Sequence, residues 1–234
     1  MRIKNSFYFI KRILFLSFFV FSFLVYAQSP SIIKKIRIPL WAELDAYPGL
    51  SEAQDLSLEQ YDYPIKSIKE VGPFLISGMV YGWEFRYTPS DKMRNVEEIL
   101  EITEIVDFSK TQNLITYAKP WIQNNRLNCW CEYTRTESQI QTYYFWSSIQ
   151  NPIIHGRGTG SVYDGFDGLK NASKDALKNA IRNYYRNTIK NKPKEITGKV
   201  LIKDIPTVGI VSGQYVINLD FFLECGKITE YKVY

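Results

Sequence analysis

Residues 168–189, GLKNASKDALKNAIRNYYRNTI, decide the fold class of this sequence. Apolar residues recur there at intervals of three and four, which is the spacing of one helix face: Leu169, Ala172, Ala176, Leu177, Ala180, Ile181, Tyr184 and Tyr185. A lysine-rich segment ending at Pro193 follows, as is typical of the carboxyl end of a helix. The pattern predicts one long amphipathic helix near residues 168–190, with Asp164 or Asp167 as its N-cap.

In the sequence before and after this helix, apolar and polar residues alternate with a period of two, which is typical of β-strands. The clearest case is the aromatic-rich segment 74–87. Further strands are predicted at 31–44, 98–106, 114–117, 127–133, 140–146, 196–202, 208–211, 215–224 and 228–233. Residues 46–63 and the glycine-rich segment 151–168 are predicted to be loops. The sequence therefore predicts an α+β fold, mainly antiparallel sheet with one long amphipathic helix and a C-terminal β-meander.

The first 27 residues are typical of a secretory signal peptide. Their basic residues come early in the segment: Arg2, Lys4, Lys11 and Arg12. An apolar run of 13 residues follows, and Ala27 supplies a small residue for cleavage. A signal peptide has an apolar run of ~7–15 residues, whereas a membrane-spanning helix needs ~20. We expect export and a periplasmic or extracellular location after cleavage following Ala27; retention of the segment as an anchor is the alternative.

Residues 28–234 are expected to form a single α+β domain, with any subdivision near residues 105–125. They contain no segment that we expect to span a membrane. The net charge of +5 for the whole chain falls to +1 for this part, because residues 1–27 carry +4. An exported and nearly neutral protein is not expected to bind nucleic acid.

The sequence contains no recognisable catalytic motif. His155 is its one histidine, which excludes a multi-histidine zinc site and makes any Ser-His-Asp or Cys-His site depend on this residue. Gly156, Gly158 and Gly160 follow the spacing G-x-G-x-G, whereas a dinucleotide-binding loop has G-x-G-x-x-G. We therefore predict no catalytic residue, no metal site and no cofactor.

Three cysteines are too few for a disulfide scaffold. Export permits a disulfide, and Cys225 could pair with Cys129 or Cys131. The alternative is that all three are small buried thiols.

An acidic run could supply a pair of carboxylates for general acid–base catalysis: Glu97, Glu98, Glu101, Glu104 and Asp107. A carboxylate-dependent envelope hydrolase is therefore an alternative function. The other interpretation is a solvated acidic face.

Four aromatic residues share one face of the predicted strand 74–87: Tyr81, Trp83, Phe85 and Tyr87. Exposed, they would form a platform for sugar rings, which makes a glycan- or peptidoglycan-binding module a second alternative. Buried, they would form the inner face of a sheet. The buried interpretation is favoured because four exposed aromatics in line would exceed a usual apolar surface patch.

Six cations are spaced four residues apart along the predicted helix and are called the cationic stripe below: Lys170, Lys174, Lys178, Arg182, Arg186 and Lys190. Each step advances about 40° past a full turn, so the stripe spirals slowly opposite the apolar face. Residues 168–199 carry +7, whereas residues 43–62 carry −6. The stripe predicts contact with an anionic partner, either an envelope protein or a lipid-headgroup surface. The alternative is a solvated face balanced by the acidic loop.

From residue 153 to about 223, a Gly-x-Gly segment, an alanine-rich helix with Ala172, Ala176 and Ala180, and long strands follow one another. This order resembles the small domain of certain exported bacterial lipoproteins and of flagellar-ring assembly factors. The resemblance implies a non-catalytic envelope component and transfers no functional residue. The sequence as a whole thus predicts an exported, non-enzymatic bacterial envelope protein that acts through protein or surface contacts.

Overall fold

Nine strands and three α-helices make up the part of the chain that the computed structural model describes, residues 34–44, 61–107, 109 and 112–231. The strands are β1 (Lys35–Glu43), β2 (Trp83–Thr88), β3 (Ile99–Glu104), β4 (Thr116–Gln123), β5 (Arg126–Thr134), β6 (Ile153–Ser161), β7 (Glu195–Ile202), β8 (Thr207–Val211) and β9 (Gln214–Thr229). The helices are α1 (Asp62–Val80), α2 (Glu137–Trp146) and α3 (Gly165–Thr188). The predicted α+β class, the long helix and the C-terminal meander are confirmed.

The strands form two antiparallel sheets. The smaller sheet has the order β1-β5-β4, and the larger has the order β3-β2-β7-β9-β6. Strand β8 pairs with residues 214–218 of β9, and β7 pairs with residues 221–229 of the same strand. One contiguous apolar core joins both sheets to α1 and α3, and residues from Lys35 onward form one compact unit.

Helix α3 packs on the larger sheet through a face of small residues. Ala172 and Ala176 are fully buried there, opposite β6. A Cβ atom on Gly158 would lie 2.1 Å from the carbonyl oxygen of Ala172, and 2.2 Å from the backbone nitrogen of Ala176. The glycine-rich segment predicted as a loop is therefore a strand, and glycine lets its backbone approach the helix closely.

Side chains of α3 also cover the free edge of β6. The carboxylate of Asp175 accepts the backbone N–H of Thr159 at 3.2 Å, and the amide of Asn179 donates to the carbonyl of Arg157 at 2.8 Å. An uncovered edge strand is a template for unwanted pairing. These two bonds fix the helix along the edge of the sheet.

The prediction of a strand at 74–87 is wrong for its first half, which belongs to α1. The buried residues Ile68, Leu75, Ile76 and Met79 recur at helical spacing. Pro73 lies inside this helix, where proline is usually disfavoured. The sequence around it therefore does not predict a helix. Only β2, starting at Trp83, keeps the predicted alternation.

The predicted strand at 140–146 is likewise wrong, because α2 occupies it. Thr136 and Gln139 form a capping box at its start: the Gln139 N–H donates to the Thr136 hydroxyl at 3.3 Å, and the Thr136 N–H donates to the Gln139 amide oxygen at 2.9 Å. The Thr-x-x-Gln spacing is a recognised start signal for helices.

The strands predicted at 215–224 and 228–233 form one long strand, β9, and Gly226 lies inside it. Gly213 forms the turn between β8 and β9, with a φ of 73° that favours glycine. The signal peptide and most of the acidic loop, residues 45–60, lie outside the described residues. No helix within the described ranges is long and apolar enough to cross a membrane.

Candidate functional site

The cationic stripe is only half neutralised. Three of its members form ion pairs: Lys170 with Asp167, Lys178 with Asp175, and Arg182 with Glu98. Lys174, Arg186 and Lys190 form no ion pair with any residue of the described chain. Uncompensated charge is therefore concentrated toward the carboxyl end of α3.

A cleft of about 370 Å³, called the cationic cleft below, lies where α3 ends and the chain turns toward β7. Four cations line it: Arg182, Arg186, Lys190 and Lys192. Among the described residues that line it, Glu98 is the one carboxylate. The apolar part of the wall includes Tyr87, Pro89, Tyr185, Ile189, Pro193 and Ile196.

Glu98 is held by two neighbours. The Nε of Arg182 donates to Glu98 Oε1 at 2.7 Å, and its Nη2 donates to Oε2 in a bidentate pair. The Tyr87 hydroxyl donates to Glu98 Oε1 at 2.6 Å. Burial acts to raise the pKa of Glu98, but the bonds from Arg182 and Tyr87 outweigh it and lower that pKa. Glu98 is therefore ionised at neutral pH and neutralises Arg182.

Lys192 also lines the cleft and is held by a backbone contact. Its Nζ donates to the backbone carbonyl of Ser90 at 2.6 Å, which orients the ammonium group without neutralising it. Arg186, Lys190 and Lys192 then leave three positive charges in one concavity. The carboxyl end of α3 offsets only about half a charge.

The acidic run is divided among three places rather than forming one site. Glu98 lies in the cationic cleft, and Glu101 lies in a shallow concavity of about 330 Å³ on the larger sheet. Glu104 lines a cavity of about 170 Å³ with Lys170 and Lys174. Burial, followed by the nearby charge of Asp107, raises the pKa of Glu104. Glu98, which precedes β3, and Glu104, the last residue of β3, thus lie beside cations of the stripe.

The shallow concavity brings Glu84, Glu101 and Glu224 together, as a carboxylate-dependent hydrolase would require. Glu84 pairs with Lys199 at 3.5 Å, and Glu101 pairs with Arg86 at 3.8 Å. Both carboxylates are more than half exposed. A general acid needs a buried carboxyl with a raised pKa, so this arrangement is that of a solvated charge ladder across strands.

The aromatic platform is wrong, and the core interpretation of the same residues is right. Trp83, Phe85 and Tyr87 are 1%, 3% and 3% exposed. Tyr81 is half-buried, and its hydroxyl accepts a hydrogen bond from Gln139 at 2.9 Å. These three buried rings fill the space between sheet and helices, so Trp83, Phe85 and Tyr87 present no face to a sugar ring.

The possible disulfide of Cys225 with Cys129 or Cys131 is not formed, and all three cysteines are free thiols. Cys129 and Cys131 are buried on β5 in the smaller sheet, whereas Cys225 is exposed on β9 in the larger sheet. Burial raises the pKa of Cys129 to about 11 and is the main cause that raises the pKa of Cys131 to about 12. Thiols with such values are poor nucleophiles at neutral pH.

His155 is exposed on β6, and its Nδ1 lies 2.6 Å from Oδ1 of Asp220 on the neighbouring strand. Within the described residues, no serine or cysteine is hydrogen-bonded to this ring. The same part of the chain contains no group of three or more His, Cys, Asp or Glu that could hold a metal ion.

A more apolar cavity of about 260 Å³ lies beside β1, α1 and β8. Its polar groups include the hydroxyls of Tyr63 and Tyr215, and burial is the main cause that raises the pKa of Tyr63 to about 12. Its one carboxylate, Glu43, is paired with Arg126 at 2.7 Å. This wall is suited to apolar contact and holds no free charged group.

Two residues of the cationic cleft were not singled out from the sequence. Lys192 was assigned only to the end of a helix, and Glu98 only to an acidic run. The available signal for Lys192 was its position directly after the stripe. Nothing in the sequence indicated that Glu98 would pair with Arg182, 84 residues away.

Comparison with known proteins finds a family match over nearly the whole chain. A protein-family model matches residues 23–231. An uncharacterized protein of Treponema pallidum (strain Nichols) is 31% identical over 199 residues, which cover 85% of this chain and 83% of the treponemal one. No solved structure matches the chain. The chain therefore belongs to the protein family whose model matches residues 23–231, and the treponemal protein is its relative over most of both chains.

Proposed function

We propose that this protein is an exported component of a bacterial envelope that acts by contact with an anionic partner, without catalysis. The partner is an envelope protein or a lipid-headgroup surface, and the cationic stripe is the contact. One observation carries the proposal: Lys174, Arg186 and Lys190 form no ion pair within the described residues, although Asp167 and Asp175 of α3 and Glu98, which precedes β3, neutralise the other three cations of the stripe. Uncompensated charges on one face attract an oppositely charged surface at long range.

The contact can be tested by retention of partners from an envelope extract. The variant Lys174→Gln, Arg186→Gln, Lys190→Gln removes the three unpaired charges. We expect it to lose the retention that the unaltered chain shows, because the attracting charges are gone. Retention of partners by the unaltered chain should weaken as salt is added, because attraction between exposed charges more than about 10 Å apart is largely screened at 0.1 M salt.

The matched control is Lys66→Gln, Lys69→Gln, Lys227→Gln, which removes the same charge from exposed positions that do not belong to the stripe. It should retain partners like the unaltered chain. Equal retention by the unaltered chain and by the stripe variant would reject the stripe as the contact.

Export is supported by the basic start, the 13-residue apolar run and the small residue at Ala27. Mass spectrometry of the protein isolated from its own cells should give a chain that starts at Gln28. A chain that retains Met1 would instead favour the anchored alternative.

A further inference from the structure

The cationic cleft has the charge and shape of a site for a small, multiply charged anion. Its cations surround a concavity of about 370 Å³, within the ~300–1,000 Å³ that is usual for ligand pockets. Three of its cations have no ion pair among the described residues, whereas Lys170 and Lys178, elsewhere in the stripe, are paired with acids one turn away.

The charge balance of the cleft selects the class of ligand. Glu98, the single carboxylate among the described lining residues, is already satisfied by Arg182 and Tyr87, so Arg182 contributes no net charge. Arg186, Lys190 and Lys192 remain. Three cations, reduced by about half a charge at the helix end, exceed what one carboxylate would neutralise but suit a dianion.

The donor geometry points the same way. A guanidinium offers a planar fork that matches phosphate oxygens, and an ammonium group acts as a point charge beside it. Lys192 is oriented by its bond to the Ser90 carbonyl and keeps two further N–H donors. The wall of Tyr185, Ile189 and Ile196 excludes water from one side, which strengthens charged hydrogen bonds.

We propose that the cationic cleft binds a phosphate monoester group, through Arg186, Lys190 and Lys192. The proposal deepens the proposed function, on which it rests for the anionic character of the partner. The phosphate belongs either to a soluble ester or to a lipid headgroup, since both present the same dianion.

The first test is calorimetric titration of the full chain with glycerol 3-phosphate, and with acetate as the singly charged comparison. We expect the phosphate ester to bind and the variant Arg186→Gln, Lys190→Gln, Lys192→Gln to bind it at least about tenfold more weakly. The control Lys66→Gln, Lys69→Gln, Lys227→Gln should bind like the unaltered chain. Equal affinity for acetate, or an unaffected cleft variant, would overturn the proposal.

Two further readouts separate the cleft from general attraction. Glu98→Gln releases the guanidinium of Arg182 into the cleft, so this variant should bind the ester more tightly; weaker or unchanged binding contradicts the role given to Glu98. Affinity should also rise by up to about tenfold from pH 5 to pH 7.5, because the second ionisation of a phosphate ester has a pKa near 6.

The described carboxylate and tyrosines of the cleft do not titrate over this range. The pKa of Glu98 is lowered, and those of Tyr87 and Tyr185 are raised. His155 does not line the cleft. A pH-independent affinity would therefore show that the dianion is not the species bound.

The source of the phosphate is distinguished with vesicles of phosphatidylcholine that contain phosphatidic acid or phosphatidylglycerol. A lipid source predicts preference for phosphatidic acid, a monoester, that is lost in the cleft variant; a soluble source predicts ester binding without this preference.

If no phosphate binds while Lys174→Gln, Arg186→Gln, Lys190→Gln still abolishes partner retention, the cleft assignment fails and the proposed function stands. Phosphate binding with unchanged partner retention would reject the proposed function instead.

Discussion

Glu98 shows how one partly buried carboxylate changes the charge of the cleft that it lines, because it neutralises Arg182. It accepts hydrogen bonds from Arg182 and Tyr87, and these outweigh burial and hold its pKa below the usual range. Because the folded-state pKa is lowered, Glu98 stabilises the fold above the pKa of an unfolded glutamate, about 4.3. That contribution is lost as the pH falls through the lower, folded-state pKa.

Comparing the unaltered chain with Glu98→Gln tests this sign. At pH 7 the variant should be less stable by roughly 1–3 kcal/mol, because Arg182 and Tyr87 lose a charged partner. The difference should shrink below about pH 4.3, as Glu98 itself becomes protonated. Urea unfolding between pH 3 and pH 7 measures it.

The neighbouring Glu97 provides the control, since its side chain is exposed. Glu97→Gln should change stability by less than about 0.5 kcal/mol at every pH. A Glu98→Gln difference that does not vary with pH would contradict the ion pair as its cause.

The contact between β6 and α3 is the element-scale feature that orients the cationic stripe. Gly158→Ala should destabilise the protein by at least about 3 kcal/mol, because the new Cβ would meet backbone atoms of α3 that cannot move aside. Chemical denaturation measures the free energy of unfolding.

Gly209 on β8 is the matched control, because a Cβ there would have no heavy atom within 4 Å. Gly209→Ala should leave stability unchanged or raise it by up to about 1 kcal/mol. If both glycine variants were equally stable, close backbone approach would not explain the packing of β6 on α3.

The capping box of α2 predicts a smaller effect. Thr136→Ala removes the hydroxyl that accepts the Gln139 N–H and should cost about 1 kcal/mol. Thr142→Ala, in the same helix, removes a hydroxyl that donates only to the Ser138 carbonyl and should be nearly neutral. Thermal unfolding of the two variants compares them directly, and an equal loss would argue against the cap.

At this scale, the sequence predicts elements best where one period dominates. Helix α3 and strands β2, β5 and β7 each keep a regular apolar spacing, and their positions follow from it. The errors in α1 and β6 fall where proline or glycine interrupts a buried element, whereas the error in α2 overlooks the capping box at its start. In β6 the close approach of the α3 backbone, which no local pattern reveals, decides the conformation.

Across the whole molecule, positive and negative charges lie in different parts of the chain, so a small net charge does not mean that few charges are present. The chain beyond residue 27 carries only +1, yet its balancing acids are unevenly placed. The described acids that neutralise part of the stripe are Glu98, which precedes β3, and Asp167 and Asp175 of α3 itself. The stripe was predictable from a four-residue spacing, whereas the cationic cleft was not, because it depends on tertiary contacts of Glu98 and Lys192.

The most direct test of the account is the affinity of the full chain for a fluorescent inorganic polyphosphate, measured by anisotropy from 50 to 300 mM salt. The unaltered chain should bind with an affinity that falls steeply with salt, as counterion release requires. Lys174→Gln, Arg186→Gln, Lys190→Gln should bind more weakly and with a shallower salt dependence. Lys66→Gln, Lys69→Gln, Lys227→Gln should match the unaltered chain. Equal losses in both variants, or none in either, would contradict the claim that the unpaired cations of the stripe form the contact surface.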